Sequence, residues 1–122
     1  MNIKELRIGN IIGNSNSFPM TVVLLGDDYA HLDFEGNEGD IWEEDEIFLN
    51  PIKLTKDMLL HSGFREESKN RFTDDIIEII CCDKEWRIYV NDYYLKSFNY
   101  VHELQNIYFI MFNKEINIQV WF

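Results

Sequence analysis

The chain has no lysine or arginine between residues 8 and 52. The same stretch carries ten carboxylates, which are Asp27, Asp28, Asp33, Glu35, Glu38, Asp40, Glu43, Glu44, Asp45 and Glu46. The other residues together hold twelve acids against eleven bases, so this stretch supplies nearly all of the net charge of −11. Such a charge distribution repels nucleic acid and anionic membranes and attracts basic surfaces. It predicts a protein partner with a basic surface and no direct binding of nucleic acid or membrane.

Cysteine and long apolar runs are also scarce. The only two cysteines, Cys81 and Cys82, are sequence neighbours, which rarely bridge each other, so a disulfide framework is excluded and a reducing compartment is expected. No segment approaches the roughly 18 consecutive apolar residues of a membrane span, and residues 1–7 lack the apolar run of a secretory signal. We therefore predict a cytoplasmic location.

The chain nevertheless has the material for a hydrophobic core. Hydrophobic residues make up 46% of the 122 residues and aromatic residues 15%. A disordered acidic segment would be poor in aromatics, whereas the acidic stretch itself contains Tyr29, Phe34, Trp42 and Phe48. The acidity therefore belongs to a folded surface. We predict a single compact domain over residues 1–122, with sub-halves 1–51 and 52–122.

The first half has the pattern of short strands and turns. Residues 20–25 and 29–34 are predicted strands, separated by the turn signal Gly26-Asp27-Asp28. Residues 41–49 resume after a Gly/Asn turn. In this segment the predicted core residues are Trp42, Ile47, Phe48 and Leu49. Several short strands within fifty residues predict a small bent sheet or an SH3-like barrel.

The second half predicts two helices around an antiparallel meander. Thr55 is a typical helix N-cap, and Gly63 ends the helix predicted over 56–62. A charged turn (65–71) precedes three strand-like runs, at 76–81, 86–90 and 93–98. Apolar residues at helical period predict a second helix over 100–113 that packs across the meander, and residues 116–122 alternate like a strand. The predicted fold class is α+β.

Three segments carry a resemblance to known sequences. They are Leu6-Arg7-Ile8-Gly9-Asn10, the stretch from Asn50-Pro51 to Gly63-Phe64, and Tyr100-Val101-His102-Glu103-Leu104-Gln105-Asn106 with Tyr108-Phe109. In this order they resemble a family of short uncharacterised proteins of gut Bacteroidota, their phages and their mobile elements. The chain departs from that family at Met58, where a tryptophan is common. The resemblance implies a compact intracellular α+β protein encoded by a phage or mobile element, and it implies no catalytic residue.

The sequence offers no motif for metal binding, for a cofactor or for catalysis. Residues 33–44 have oxygen-bearing side chains at some EF-hand positions, but Glu38 stands where the sharp turn needs glycine. His31, His61 and His102 lack metal-ligand spacing, and His102 is expected at the surface or in a helix cap. No nucleophile elbow or phosphate-binding loop is present. We predict no metal, no cofactor and no catalytic residue.

The predicted partner-binding residues are acidic or aromatic. They are Asp40, Trp42, Glu43, Glu44, Asp45, Glu46, Tyr93 and Tyr94. Our first hypothesis is a non-enzymatic interaction module, and its sharper form is a phage-type inhibitor whose carboxylates mimic nucleic-acid phosphates. Two alternatives remain open. One is a small-ligand binder or enzyme with a cleft between the two halves, and the other is a structural subunit that pairs through residues 116–122. The oligomeric state is not predicted.

Overall fold

The computed structural model describes residues 1–122 and confirms an α+β fold with two antiparallel sheets and two helices. The chain divides into two compact units. The first comprises residues 1–52 and 100–116, and the second comprises residues 53–99 and 117–122.

The first unit contains a four-stranded sheet in the order β1-β2-β3-β4. Its strands are β1 (Ile11–Gly13), β2 (Pro19–Leu25), β3 (Tyr29–Asp33) and β4 (Trp42–Asp45). All neighbours run antiparallel, as short hairpin connections require. After β4 a short 3₁₀ helix, Glu46–Phe48, leads the chain back to β1, where Gly13 and Asn50 exchange two backbone hydrogen bonds of 2.7 and 2.9 Å. This single bridge does not close the sheet, so the bent sheet is confirmed but a closed barrel is not formed.

Alternation along the strands builds the core of the first unit. Met20 and Val22 of β2 and Ala30 and Leu32 of β3 turn inward and are buried. The complete cluster is Ile3, Leu6, Ile12, Met20, Val22, Ala30, Leu32 and Leu49. Burial of each of the larger apolar side chains contributes about 1.5–3 kcal/mol to folding.

The predicted core of residues 41–49 is largely wrong. Only Leu49 is buried, whereas Trp42, Ile47 and Phe48 are exposed. The reason is that β4 is a short edge strand whose inward position is taken by Glu44, and the 3₁₀ helix after it turns Ile47 and Phe48 toward solvent.

Helix α2 (Val101–Phe112) completes the first unit. Its first turn is capped by the Glu103 carboxylate, which accepts a hydrogen bond of 3.1 Å from the Tyr100 backbone N–H. Its polar contacts run to the start of β1. The Gln105 side-chain oxygen accepts from the Ile11 N–H at 2.8 Å, and that of Asn106 accepts from Asn10 Nδ2 at 2.8 Å. The first and third segments that carry the family resemblance are therefore in contact.

The second unit contains helix α1 (Lys56–His61) and a five-stranded meander. In spatial order, the strands are β5 (Arg65–Ser68), β6 (Arg71–Thr73), β7 (Glu78–Cys82), β8 (Glu85–Val90) and β9 (Tyr93–Phe98). The three predicted meander strands are confirmed as β7, β8 and β9. Residues 65–71, predicted as a charged turn, instead form part of the β5–β6 hairpin. All four side chains of β5 are exposed, so this strand has no apolar alternation that could predict it.

The predicted ends of α1 are close to those observed. The Thr55 hydroxyl accepts a hydrogen bond of 3.2 Å from the Met58 N–H, and Gly63 follows the helix with a φ of 93°. The backbone N–H of the buried Phe64 then donates a hydrogen bond of 3.0 Å to the Leu59 carbonyl.

Residues 116–122 do not form the predicted strand. Ile116 and Ile118 are buried, which explains the alternating pattern, but the segment pairs with no strand. Within the second unit, the Gln119 N–H donates to the Ser62 hydroxyl at 2.7 Å and Phe122 stacks on His61 at 4.0 Å between ring centroids.

Candidate partner-binding site

The acidic stretch lies mainly on the surface of the first unit. Of its ten carboxylates, seven belong to exposed residues, which are Asp27, Asp28, Glu35, Glu38, Asp40, Glu43 and Asp45. None of the ten pairs with a lysine or arginine. The nearest basic group is His31, whose Nε2 lies 3.9 Å from Glu43 Oε1. The negative charge of this surface is therefore uncompensated.

Edge strand β4 carries the centre of this charge. The strand pairs only with β3, so its second edge has no backbone partner. Trp42, Glu43 and Asp45 are exposed along it, and Asp40 lies exposed just before it. Carboxylates along an open edge discourage unwanted sheet pairing and present charge to a partner at the same time.

Glu44 differs from its acidic neighbours because it is buried, with 7% of its surface exposed. Its Oε2 accepts two hydrogen bonds, one of 3.0 Å from the Ser15 backbone N–H and one of 2.8 Å from Trp42 Nε1. The prediction of Glu44 as a contact residue is therefore corrected. This side chain faces inward and holds the 14–18 loop and the Trp42 ring in place.

A groove of about 310 Å³ opens beside this carboxylate. Its lining residues are Asn14, Asn16, Phe18, Met20, Phe34 and Trp42. Phe18 and Phe34 meet edge to face with their ring centroids 5.7 Å apart. Sequence analysis did not identify this groove, because Phe18 and Phe34 stand in separate segments that only the β2–β3 pairing brings together.

The wall formed by residues 14–18 is held by hydrogen bonds. The buried Asn14 Oδ1 accepts from the backbone N–H groups of Asn16 at 2.9 Å and Phe18 at 3.1 Å. Asn50 Nδ2 in turn donates to the Asn14 carbonyl at 2.8 Å. These bonds set the loop before any ligand arrives, which lowers the entropy that binding must overcome.

The predicted residues Tyr93 and Tyr94 lie in the second unit, on edge strand β9. They are 76% and 54% exposed, and the Tyr94 hydroxyl shares a hydrogen bond of 2.7 Å with Ser97 Oγ. The predicted residues therefore belong to two separate surfaces. Asp40, Trp42, Glu43, Asp45 and Glu46 share the β4 region of the first unit, and the two tyrosines belong to the meander.

The second unit has a larger cavity of about 670 Å³ at the β7–β8 turn. Its lining residues are Cys82, Asp83, Lys84, Glu85, Arg87 and Asn99. The pKa of the Arg87 guanidinium is raised, first by coulombic interaction with Cys82 and then by hydrogen bonds with Tyr89 and Glu85, so this side chain is positively charged. Neither this cavity nor the groove is lined by a histidine.

His102 occupies a different environment from the one predicted. It is 2% exposed rather than at the surface, and neither ring nitrogen has a hydrogen-bond partner. Its ring stacks on Tyr100, and the Glu5 carboxylate lies 3.8 Å from Nε2. Burial lowers the pKa of His102 below its ordinary value of 6.5, against an opposing effect of Glu103 and Glu5.

Comparison with other proteins adds no relative. No protein-family model, no curated protein and no solved structure matches the chain. The resemblance to the Bacteroidota and phage proteins therefore stays a prediction.

Neither helix has the length and apolar composition needed to cross a bilayer. No three of the His, Cys, Asp and Glu side chains form a metal-ligating group.

Proposed function

We propose that this protein is a non-enzymatic interaction module that binds a basic surface of a protein partner. The binding surface is the acidic face of the first unit, defined by Asp40, Glu43 and Asp45. The observation that carries the proposal is that edge strand β4 and the residues just before it display these exposed carboxylates with no lysine or arginine paired to them.

Uncompensated charge of this kind acts at a distance. Exposed carboxylates without cationic partners attract a basic surface before contact and raise the association rate, and salt weakens that effect. The same field opposes approach to nucleic acid and to anionic lipid. The partner is therefore a basic protein, and the sharper form of the proposal is an inhibitor that occupies the nucleic-acid groove of such a protein.

The setting of the proposal follows from the sequence. The adjacent, unbridged cysteines support a cytoplasmic site of action. The resemblance to phage and mobile-element proteins supports an origin in such an element. An inhibitor of a host nucleic-acid-binding protein fits both.

The two alternative functions have less support in the described geometry. A small-ligand binder or enzyme is expected to use a cleft between the two halves, whereas each of the two cavities described above is lined by residues of one unit only. A structural subunit that pairs through residues 116–122 needs a strand there, and those residues do not form one. The interaction module is therefore preferred.

The test compares two variants of equal net charge. The face variant, Asp40→Asn with Glu43→Gln and Asp45→Asn, neutralises the acidic face and leaves the buried Glu44 intact. The control variant, Asp57→Asn with Glu67→Gln and Asp92→Asn, neutralises three exposed carboxylates of the second unit. An oligoarginine peptide serves as the probe, and its dissociation constant is measured by calorimetry at low and high salt.

We expect the face variant to bind the probe about tenfold more weakly than wild type, since each exposed ion pair contributes roughly 0.5 kcal/mol. The control variant should bind like wild type, and salt should weaken wild-type binding. Equal losses in the two variants would show that total charge rather than the acidic face attracts the probe. That result would overturn the proposal.

A further inference from the structure

We propose that the groove between Phe18, Phe34 and Trp42 receives one arginine side chain from a basic segment of the partner. This inference rests on the proposed function and extends it, because it names the residue type that the acidic face recognises and the place where that residue is held.

The walls of the groove are aromatic and partly open to solvent. Phe18, Phe34 and Trp42 are 41%, 37% and 43% exposed, and the almost fully buried Met20 closes the apolar part of the lining. Aromatic faces attract cations through their quadrupole, and tryptophan does so most strongly. A groove of about 310 Å³ lined by three aromatic rings has room for a single side chain of a partner, but not for a larger part of its surface.

Glu44 adds to the attraction of Trp42 for a cation. The indole Nε1 donates to the Glu44 carboxylate at 2.8 Å, which fixes the ring and shifts electron density toward its faces. The same carboxylate accepts from Ser15, a neighbour of the lining residues Asn14 and Asn16. A negative charge is thus built into the protein next to the groove, shielded from water by burial.

Charge complementarity favours a basic occupant over an apolar one. Glu44 is the carboxylate beside the groove, because its Oε2 accepts the hydrogen bond from the Trp42 indole that lines it. Residues 8–52 contain no lysine or arginine that could fill the groove from within the same stretch.

The first unit already contains one arginine in such an environment. The Arg7 guanidinium lies 4.2 Å from the centroid of the Phe109 ring and pairs with the Glu115 carboxylate, with Nη2 and Oε2 3.0 Å apart. Arginine suits this arrangement because its planar guanidinium stacks on a ring while its N–H groups reach a carboxylate. Lysine presents a strongly hydrated point charge and is expected to bind less well.

The test uses four short peptides that differ at one central position within the same flanking sequence of lysines. The central residue is arginine, lysine, citrulline or norleucine, so that charge, planarity and apolar contact are separated. Dissociation constants are measured with wild type and with Trp42→Ala and Phe34→Ala. Phe48→Ala is the matched control, because Phe48 is an exposed aromatic of the same unit that does not line the groove.

We expect the arginine peptide to bind wild type most tightly and to lose about tenfold in affinity on Trp42→Ala. Phe34→Ala should act in the same direction, and Phe48→Ala should have no effect. Near-ultraviolet circular dichroism checks that each variant remains folded. A norleucine peptide that binds as tightly as the arginine peptide would overturn the inference, and equal binding of the lysine peptide would overturn the choice of arginine.

Failure of this inference is distinguishable from failure of the proposed function. If the face variant weakens binding of the arginine peptide while the groove variants do not, the acidic face binds the partner and the groove does not hold an arginine. If neither set of variants changes binding, both proposals are overturned.

Discussion

Glu44 shows how one side chain can have a role opposite to that of its neighbours. Glu43 and Asp45 point to solvent, while Glu44 points inward and accepts hydrogen bonds from Ser15 and Trp42. Strand alternation alone explains why adjacent residues face opposite sides. Hydrogen bonds to an ionised acceptor contribute about 1.5–3 kcal/mol each, which makes a buried carboxylate acceptable at this position.

His102 is the residue for which we predict a pH dependence of stability. The pKa of His102 is lowered in the folded protein by burial, with Glu103 and Glu5 opposing. The unfolded chain therefore takes up this proton at about pH 6.5, whereas the folded protein takes it up only at lower pH. As the pH falls below about 6.5, the unfolded state binds more protons than the folded state, so the free energy of unfolding decreases.

Urea unfolding at a series of pH values measures this slope. His102→Leu should abolish most of it, even if the substitution also changes stability at neutral pH. His61→Gln serves for comparison, because it removes an exposed imidazole of α1 in the second unit and leaves His102 in place. An undiminished slope in His102→Leu would assign the pH dependence to other groups.

At the scale of the elements, the turn of the β8–β9 hairpin contains a residue that a substitution should make more stable. Val90 and Tyr93 are register partners, so Asn91 and Asp92 form a two-residue turn, and their φ angles are 50° and 67°. A turn with positive φ at both positions is of the I′ type, which favours Asn followed by Gly. Asp92→Gly should relieve the strain of a Cβ in the left-handed region and stabilise the protein by roughly 0.5–1 kcal/mol.

Thermal unfolding of Asp92→Gly tests this expectation. Asp92→Asn is the matched control, because it removes the same charge and keeps the Cβ. If both substitutions raise the melting temperature equally, the gain comes from charge and not from the backbone.

The elements also show what sequence alone can predict. Helix α1 was predicted well because its signals, Thr55 and Gly63, act within a few residues of the helix. Strand β5 was missed because its four residues are all exposed and are defined by pairing with β6. The carboxylate of Glu44 is held by the Ser15 backbone N–H, 29 residues away in sequence, so the local run of four acids gives no sign of this contact.

At the scale of the whole molecule, the order of segments along the chain does not indicate which segments fold into the same unit. Residues 100–116 cluster with residues 1–52 although the second unit lies between them in sequence. The contact depends on Asn10, Gln105 and Asn106, polar residues whose hydrogen bonds span almost the full chain length. Local patterns predicted helix α2, but not its polar contacts. The groove escaped prediction for the same reason, since Phe18, Phe34 and Trp42 come from three different segments.

The charge distribution leads to a prediction for the whole molecule, that added salt stabilises this protein. The net charge of −11 is concentrated in residues 8–52, where no lysine or arginine offsets it. Mutual repulsion of these carboxylates opposes folding, and physiological salt largely screens the repulsion between exposed charges that are more than about 8 Å apart. We expect the melting temperature to rise by about 3–5 °C between low and physiological salt, equivalent to roughly 1 kcal/mol.

The face and control variants separate local repulsion from total charge. Neutralising Asp40, Glu43 and Asp45 should reduce the salt effect, because these exposed carboxylates have no lysine or arginine partner. Neutralising Asp57, Glu67 and Asp92 should preserve it, because Glu67 pairs with Arg65 at 3.2 Å and Asp57 lies in the first turn of α1, where negative charge is favourable. Calorimetric melting of the three proteins over a range of salt concentrations measures the difference. Equal reductions in the two variants would mean that net charge, and not its concentration on the acidic face, sets the salt response.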